Sequence, residues 1–454
     1  MTKARNRPRA AHSDASPPWA EFQSVDLMLC DINGVIRGKR IQTSAFEKAL
    51  EQGVSLPASV FALDITGQTV EETGMGLAQG DSDRTCRLLP HTLAPVPWHK
   101  TPSGQIMMTM EDLDGSPFFA DPRHVLQGVL TRLQEKGLHP CVAVELEFYL
   151  VDQKEGADGL PQAPILPGTD ERMHDTQVYS LDDLDSWEDF LVQVAEVCKL
   201  QRIPADNAVA EYAPGQFEIN LAHQHDAVAA CDQAILLKRA IKAIAIKQGM
   251  YATFMAKPYN GQTGSGMHIH VSLLDDDGNN VFAGDHELLR QAIAGTLSML
   301  PESMALFAPN ANSFRRLQPH MYVPLHASWG FDNRTVAVRI PSGDPANTRL
   351  EHRVAGADAN PYLVVAAILA AVDHGLTEQL HPPAPIQGDA NKLDLPLLPY
   401  RWQSALDRFA QSHRLSQYLG KEFHRAYLIN KRFELAEFDQ HVTPLEYQWY
   451  QHLV

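Results

Sequence analysis

Apolar and polar positions alternate in short runs over roughly the first quarter of the chain. Apolar runs occur in VDLMLCDINGVIRGKRI, SVFALDITG and QIMMTMEDLDG, and the pair Asn33-Gly34 interrupts the first of them. An Asn-Gly pair between apolar runs is a strong hairpin signal, because both residues tolerate a positive φ. The pattern predicts a small β-rich region with strands in all three segments.

The repeat distance of the apolar residues lengthens after residue 117, where they recur at helical spacing. Asp121-Pro122 predicts a helix start, and the β-branched alternation of CVAVELEFYL predicts a strand. Further helices are predicted at 185–200, 227–247, 286–299, 361–375 and across much of 404–438. The chain is therefore predicted to be α+β, with a flexible tail at 1–20, a β-rich domain at 21–116 and a larger mixed domain at 117–454.

Charge and composition exclude several classes of protein. The net charge of −17 argues against nucleic acid as the main partner, since phosphate binding needs a basic face. The longest apolar run, 362–372, is shorter than the roughly 20 residues that span a bilayer. The N-terminal segment lacks a signal-peptide core, and the five cysteines are scattered. These features predict a soluble cytoplasmic protein that binds neither nucleic acid nor membrane.

Two pairs of glutamates are the first candidate functional residues. Glu145 and Glu147 are two apart in a predicted strand, so their carboxylates share one face. Glu211 and Glu218 flank a Pro214-Gly215 turn and can return to one point. The first pair alone is explained equally well by a solvent-facing strand edge, and glutamates that flank a turn, like the second pair, are usually solvated. Together they favour a hard divalent cation, which prefers carboxylate oxygens.

Histidines and arginines add the groups that bind anions. His268 and His270 follow a glycine-rich loop, two apart on one strand face. A surface ion pair would explain any single arginine in the region 313–354. Their number beside Glu351 favours binding of polyphosphate and carboxylate, which is the requirement of phosphoryl transfer. These arginines are Arg316, Arg334, Arg339, Arg349 and Arg353.

In order along the chain, the motifs ELEF, EYAPGQFE, GSGMHIHVS, NSFRRL, DNRTVAVRIP and LEHRVAGADANPYL resemble the glutamine synthetase family. The resemblance covers nearly the whole chain. It implies a small β-grasp-like N-terminal domain and a large catalytic α+β barrel domain, the latter at 117–454. It also implies a homo-oligomer, a dodecamer of two stacked hexameric rings with active sites at the subunit interfaces.

The resemblance also assigns residues to ligands. Two or more Mg²⁺ or Mn²⁺ ions are implied, one held by Glu147, Glu211 and Glu218 and another by Glu145, His268 and Glu351. The positions that contact ATP are His270, Ser272, Arg334, Arg339 and Arg349. Those that contact L-glutamate are Gly264, Arg316, Arg334 and Arg353. Asp64, lent by an adjacent subunit, and Tyr179 fall at the amine site; Asp64, Arg334 and Arg353 are the implied catalytic residues.

The implied reaction is an ATP-dependent ligation of L-glutamate to an amine through γ-glutamyl phosphate. Ammonia-using members carry a glutamate where this chain has Tyr322, and an aromatic side chain suits a cationic amine with an alkyl chain. The sequences of the motifs look most similar to those of the bacterial γ-glutamylpolyamine synthetase branch. The resemblance therefore implies that the amine is a polyamine such as putrescine. The alternatives are an ammonia-dependent glutamine synthetase, a ligase for another monoamine and a non-catalytic structural relative.

Overall fold

The computed structural model describes residues 19–157, 159–175, 177–284, 286–319 and 321–454, so the predicted tail at 1–20 lies outside them except for its last two residues. The strands are β1 Ser24–Cys30, β2 Ile36–Gln42, β3 Val54–Pro57, β4 Asp83–Leu88, β5 Ala94–Pro95, β6 Ser103–Glu111, β7 His139–Asp152, β8 Ala205–Ala210, β9 Gln216–Leu221, β10 Met250–Thr253, β11 Met267–Leu274, β12 Trp329–Phe331, β13 Val338–Ile340 and β14 Leu350–His352. The helices are α1 Phe46–Gln52, α2 Pro122–Gln134, α3 Leu181–Ser186, α4 Glu188–Gln201, α5 Ala227–Lys247, α6 Val281–Gly284, α7 His286–Phe307, α8 Ser313–Arg316, α9 Pro361–Thr377, α10 Trp402–Gln411, α11 His413–Leu419, α12 Lys421–Gln440 and α13 Pro444–Tyr450.

The first sheet contains strands from the N-terminal region, in the order β2-β1-β6-β4-β3, with β5 added beside β6. The predicted hairpin is confirmed: β1 and β2 are antiparallel, and Gly34 has a φ of +78° in the turn between them. The strand predicted in SVFALDITG is wrong, because Ala58–Phe61 forms a 3₁₀ helix. Ala58 and Phe61 are both buried and three residues apart, which matches the three-residue turn of that helix rather than a strand.

The second sheet has the order β12-β13-β14-β11-β7-β9-β8, with β10 also paired to β7. β7 occupies the centre, antiparallel to both β11 and β9. The chain returns from β8 to β9 through the predicted turn, where Gly215 adopts a φ of +76°. The predicted α+β class and the strand in CVAVELEFYL are confirmed.

The predicted helices are present, with some differences in extent. Asp121 caps α2 by accepting a hydrogen bond from the Arg123 N–H at 3.0 Å. The helix predicted at 286–299 continues to Phe307 despite Pro301 inside it, and the 404–438 segment is divided into α10, α11 and α12. Across the described ranges, no helix is both long and apolar enough to cross a lipid bilayer.

Polar contacts join the N-terminal sheet to the rest of the chain. Asn360 caps α9 and donates through Nδ2 to the Asp31 carbonyl oxygen at 2.9 Å. Arg239 on α5 donates to Asp26 of β1 at 2.6 Å. The buried apolar residues of both regions also form one continuous core. The division into domains at 116/117 stays a prediction.

Helices α7 and α9 pack backbone to backbone at two glycines. A Cβ on Gly295 would lie 2.1 Å from the Ala371 carbonyl oxygen and 2.6 Å from the Gly375 Cα. A Cβ on Gly375 would lie 2.1 Å from the Gln291 carbonyl oxygen. These distances are far below van der Waals contact, so neither position accepts a side chain without separating the helices.

We therefore expect Gly295→Ala to lower the free energy of unfolding by about 1–3 kcal/mol, the usual cost of overpacking. Gly128→Ala in α2 is the matched control, because a Cβ there has open space around it. That control should be neutral or stabilising by up to about 1 kcal/mol, since alanine favours a helix over glycine. Thermal and urea unfolding of both variants test this. Equal effects of the two substitutions would contradict the packing argument.

Candidate active site

A cavity of about 470 Å³ lies beside the middle strands of the second sheet. It brings together most of the residues singled out from the sequence. These are Glu145, Glu147, Tyr179, Glu211, Glu218, Gly264, His268, Arg316, Tyr322, Arg334, Arg339, Glu351 and Arg353.

The register of the strands places these side chains next to each other. Glu145 of β7 lies opposite His268 of β11, and Glu147 lies opposite Glu218 of β9. Glu351 of β14 lies between His270 of β11 and Arg339 of β13. Because directly opposed residues on antiparallel strands have neighbouring Cβ atoms, the sheet itself assembles the polar cluster.

Glu145 is the carboxylate that both histidines contact. Its Oε2 lies 3.0 Å from Nδ1 of His268, and its Oε1 lies 2.8 Å from Nε2 of His270. Burial opposes ionisation of this carboxyl, but the hydrogen bonds with the two histidines outweigh burial and hold its pKa well below its usual range. Glu145 is therefore an anion at neutral pH.

Glu351 is almost fully buried and is compensated by arginines. It pairs with Arg353 and accepts a hydrogen bond from Nη1 of Arg339 at 2.7 Å. Burial alone would raise its pKa, but the Arg353 guanidinium and then the nearby histidines lower it to about 2. This carboxylate also stays ionised without a metal.

Glu211 and Glu218 have the opposite electrostatic environment. Burial, followed by the charge of Glu147, raises the pKa of Glu211 to about 7. Burial, followed by the charges of the other carboxylates, raises the pKa of Glu218 to about 9. The cluster is therefore short of positive charge, and a divalent cation would allow all of these groups to ionise.

Two groups of side chains have the spacing for a metal ion. One is Glu145, His270 and Glu351, and the other is Glu145, Glu218 and His268, with the ligand atoms of each group within 4.8 Å of one another. This grouping differs from the partition that the family resemblance implied, since His270 takes part and Glu145 belongs to both groups. A donor set dominated by carboxylates fits Mg²⁺ or Mn²⁺. The assignment of each ligand to one ion stays a prediction.

Buried guanidinium groups form the anion-binding side of the cavity. Arg316 is only 4% exposed and donates through Nη1 to the Val354 carbonyl oxygen at 2.8 Å. Within the described part of the chain, the Nε atoms of Arg316, Arg339 and Arg353 have no hydrogen-bond partner although they are buried. Since an unpaired buried donor is costly, a bound carboxylate or phosphate fits these positions.

Gly264 permits close approach at the same end of the cavity. A Cβ there would lie 2.5 Å from the Ala256 carbonyl oxygen and 2.6 Å from Cγ of Arg316. Gln216 fixes this loop, because its Nε2 donates to the Gly264 carbonyl oxygen at 3.1 Å and its Oε1 accepts from Oγ1 of Thr263 at 2.5 Å. A larger residue at 264 would displace the arginine or the loop.

Some predicted site residues do not line this cavity. His270 lies next to it, and Nε of Arg349 donates to Nδ1 of His270 at 3.1 Å. Ser272 lies two residues further along β11. Asp64 does not line the cavity. It is buried in its own loop, where its Oδ1 accepts from the backbone N–H groups of Thr66 and Gln68 at 2.9 and 2.8 Å. One chain alone therefore does not bring Asp64 to the other site residues.

The cavity also contains residues that the sequence analysis did not select. They include Tyr212, Gln216, Asn220, Met321 and Val323. Tyr212 and Gln216 lie between Glu211 and Glu218 in the sequence, so their position between two candidate ligands could have indicated a role in the site. Met321 and Val323 flank Tyr322, but their side chains have no polar group that would indicate a binding site from the sequence.

This chain is similar to known proteins over most of its length. A family model described as "Glutamine synthetase, catalytic domain" matches residues 119–450. The chain is 49% identical over 435 residues to gamma-glutamylputrescine synthetase PuuA of Escherichia coli, covering 95% of this chain and 92% of that protein. It is 34% identical to gamma-glutamylethanolamide synthetase GlnA4 of Streptomyces coelicolor, covering 94% of this chain and 92% of that one.

A solved structure shows the same fold. The GmaS/ADP complex superposes with a TM-score of 0.83 at 27% identity, covering 95% of this chain and 97% of the other. The fold class implied by the sequence motifs, a glutamine-synthetase-type α+β arrangement, is thereby confirmed.

Removal of divalent metal should make stability depend on pH. The pKa values of Glu211 and Glu218 are raised in the folded protein, so folding favours their protonated forms. The metal-free protein is therefore expected to lose stability as pH rises through about 7 and then about 9. A Mn²⁺ concentration a hundred times the Kd measured at pH 7 should restore about 2.7 kcal/mol at that pH, and the same concentration should restore more at higher pH, where the Kd is lower.

Thermal unfolding from pH 6 to 9.5, with EDTA or with Mn²⁺, measures both effects. Glu218→Gln should flatten the pH dependence of the metal-free protein, because it removes the carboxyl with the higher pKa of the two. Glu437→Gln is the control, since Glu437 is exposed on α12. A metal response that does not change with pH would contradict the charge argument.

Proposed function

Since this chain belongs to the glutamine synthetase family, we propose that it is an ATP-dependent ligase that joins the γ-carboxylate of L-glutamate to an aliphatic diamine such as putrescine. The family uses ATP and divalent metal ions. The observation that carries the proposal is the single cavity in which a cation-demanding carboxylate cluster meets buried arginines with unpaired donors. That combination suits the transfer of a phosphoryl group to a carboxylate.

The proposed reaction has two steps. A γ-carboxylate oxygen of glutamate attacks the terminal phosphorus of ATP, and ADP leaves. The amine nitrogen then attacks the resulting acyl phosphate, the carbon–oxygen bond breaks, and phosphate leaves with its electron pair. The nitrogen loses a proton to a carboxylate base, for which Asp64 is the candidate.

Each group of residues has a proposed part in these steps. Arg316 and Arg353 hold and orient glutamate, and Arg334 and Arg339 neutralise the transferring phosphoryl group. Divalent ions, held by the acid cluster with His268, would supply further charge neutralisation at the phosphates. His270, Ser272 and Arg349, next to the cavity, are proposed to bind the nucleotide.

Two observations support a diamine as the acceptor. The relative that is 49% identical is named for putrescine, whereas relatives at 34% and 32% are named for ethanolamide and isopropylamine. Tyr322 lies in the cavity at the position where ammonia-using members carry a glutamate. An aromatic ring binds an alkylammonium chain better than it binds ammonium, which is small and strongly hydrated.

Asp64 is proposed to act in the site of a neighbouring subunit. Its loop is exposed at the tip, where Ile65 is 53% exposed, yet it is anchored at its base. The Ile65 N–H donates to Oε1 of Glu434 at 2.8 Å, and Glu434 is paired with the buried Lys431. Asp64 itself is only 3% exposed within one chain. Because its loop is anchored and lies outside the lining of its own cavity, we propose that it completes an active site across a subunit contact, in a homo-oligomer such as a dodecamer.

Phosphate release from ATP with L-glutamate and a panel of amines tests the reaction. Putrescine should give a higher kcat/KM than ammonia, ethanolamine or isopropylamine, because only it presents both a methylene chain and a second ammonium group to the cavity. Glu147→Gln is the inactive control. Strong turnover with ammonia and none with putrescine would refute the proposed acceptor, and no turnover with any amine would favour a non-catalytic relative.

Mixed oligomers test the shared site. Asp64→Asn and Glu147→Gln should each be inactive alone. When subunits of the two variants assemble together in equal amounts, about a quarter of the sites should contain an intact Asp64 and an intact Glu147 from different subunits. Activity should return to that fraction. If the mixture stays inactive while mass measurements show mixed assembly, Asp64 does not act across a contact.

A further inference from the structure

Two tyrosines from distant parts of the chain stack inside the cavity. The rings of Tyr212 and Tyr322 have centroids 5.4 Å apart and planes inclined by 21°. Tyr212 directly follows Glu211 at the start of the β8–β9 turn, and Tyr322 lies in the segment after α8. The stack therefore links the acid cluster to the segment that follows Arg316.

The pair is open to solvent rather than part of the core. Tyr212 is 45% exposed and Tyr322 is 52% exposed, although both line the cavity. By contrast, Phe148 and Phe217, an aromatic pair of the core, are fully buried. An exposed stack in a cavity leaves ring surface available to a ligand.

Tyr179, Tyr212 and Tyr322 line the cavity, and we call them the aromatic wall. Two of them have an unusual backbone conformation. Tyr322 has a φ of +53° and Tyr179 a φ of +65°, a region that costs energy for residues other than glycine. Tyr179 is held there by its N–H, which donates to the Ala210 carbonyl oxygen at 2.9 Å, next to Tyr212 in sequence. Such strain persists only where surrounding contacts fix it, so the aromatic wall is preorganised.

The chemistry of this wall suits one kind of ligand. Stacked phenol rings offer apolar surface to methylene groups, and their faces attract a cationic ammonium group. An aliphatic chain that carries an ammonium group at its far end matches this surface.

We propose that the stacked pair of Tyr212 and Tyr322 binds the methylene chain and far ammonium group of an aliphatic diamine, and that Tyr212 is thus a specificity-determining residue. This inference rests on the proposed function for the identity of the reaction. The binding surface itself is a separate property, and it can be tested separately from turnover.

The test compares Tyr212→Leu, Tyr212→Phe and the control Tyr251→Leu in the full-length protein with Mg²⁺. Tyr251 is also about half exposed but lies on β10 outside the cavity lining. For each protein, kcat/KM is measured with putrescine, butylamine and ammonia, and the Kd of putrescine is measured by calorimetry with ADP present.

Tyr212→Leu should lower kcat/KM for putrescine and weaken its binding by about 3- to 30-fold, the range expected for a lost cation–π contact. The loss of kcat/KM caused by Tyr212→Leu should be smaller with ammonia. With butylamine, which lacks the second ammonium group, the loss should lie between those for putrescine and ammonia. Tyr212→Phe keeps the ring and should stay within about threefold of the unmodified protein. Tyr251→Leu should behave like the unmodified protein.

Each outcome supports or overturns the inference. If Tyr212→Leu lowers activity with all three amines by one common factor and leaves the Kd of putrescine unchanged, Tyr212 has only a structural role. If no amine is turned over but putrescine binds, and binds more weakly to Tyr212→Leu, the proposed reaction fails while the binding surface stands. If the unmodified protein turns over putrescine and Tyr212→Leu changes neither that turnover nor the Kd of putrescine, the proposed reaction is supported and the proposed role of Tyr212 is contradicted.

Discussion

Mutual repulsion among the carboxylates of one cavity is the constraint on which the site depends. Glu145 and Glu351 have positive partners within the chain, and their pKa values fall accordingly. Glu211 and Glu218 have too little positive charge near them, and their pKa values rise to about 7 and about 9. Holding these groups together is unfavourable unless cations join them, so the acid cluster fits a bound divalent cation.

The second sheet holds the carboxylates of this cluster in place against their mutual repulsion. β7 is 14 residues long and pairs with β9 and β11 along its length, so the carboxylates are attached to rigid, hydrogen-bonded backbone. Contacts from Asn360 to Asp31 and from Arg239 to Asp26 fix the N-terminal sheet against the helices behind this strand layer. The repulsion is therefore resisted by the core of the protein and not by flexible loops.

The two halves of the proposed reaction depend on different kinds of structure. The phosphoryl-transfer side is formed by charged residues on strands and by the buried Arg316 and Arg353. The proposed amine side consists of exposed aromatic residues in loops, where Tyr212 meets Tyr322. Loops tolerate sequence changes more readily than a sheet does. This gives a physical reason why relatives named for different amines share one fold.

Local pattern determined a large part of this protein. Period-two spacing places Glu145 and Glu147 on one face, Gly34 and Gly215 make their turns at positive φ, and Asp121 and Asn360 cap the predicted helices. Each of these depends only on residues a few positions apart, which is why the sequence suffices. The assignment of chemistry to the site came from motifs in a particular order, and the individual roles stay predictions.

Tertiary structure decided what local pattern does not contain. The 3₁₀ helix at Ala58–Phe61, the grouping of His270 with Glu145 and Glu351, and the absence of Asp64 from the lining of its own cavity all depend on what packs against each segment. The contact between Tyr212 and Tyr322 is the clearest case, because the two rings come from segments far apart in the chain. Sequence periodicity reports which face of an element is buried, whereas only the packing of the elements determines which faces meet.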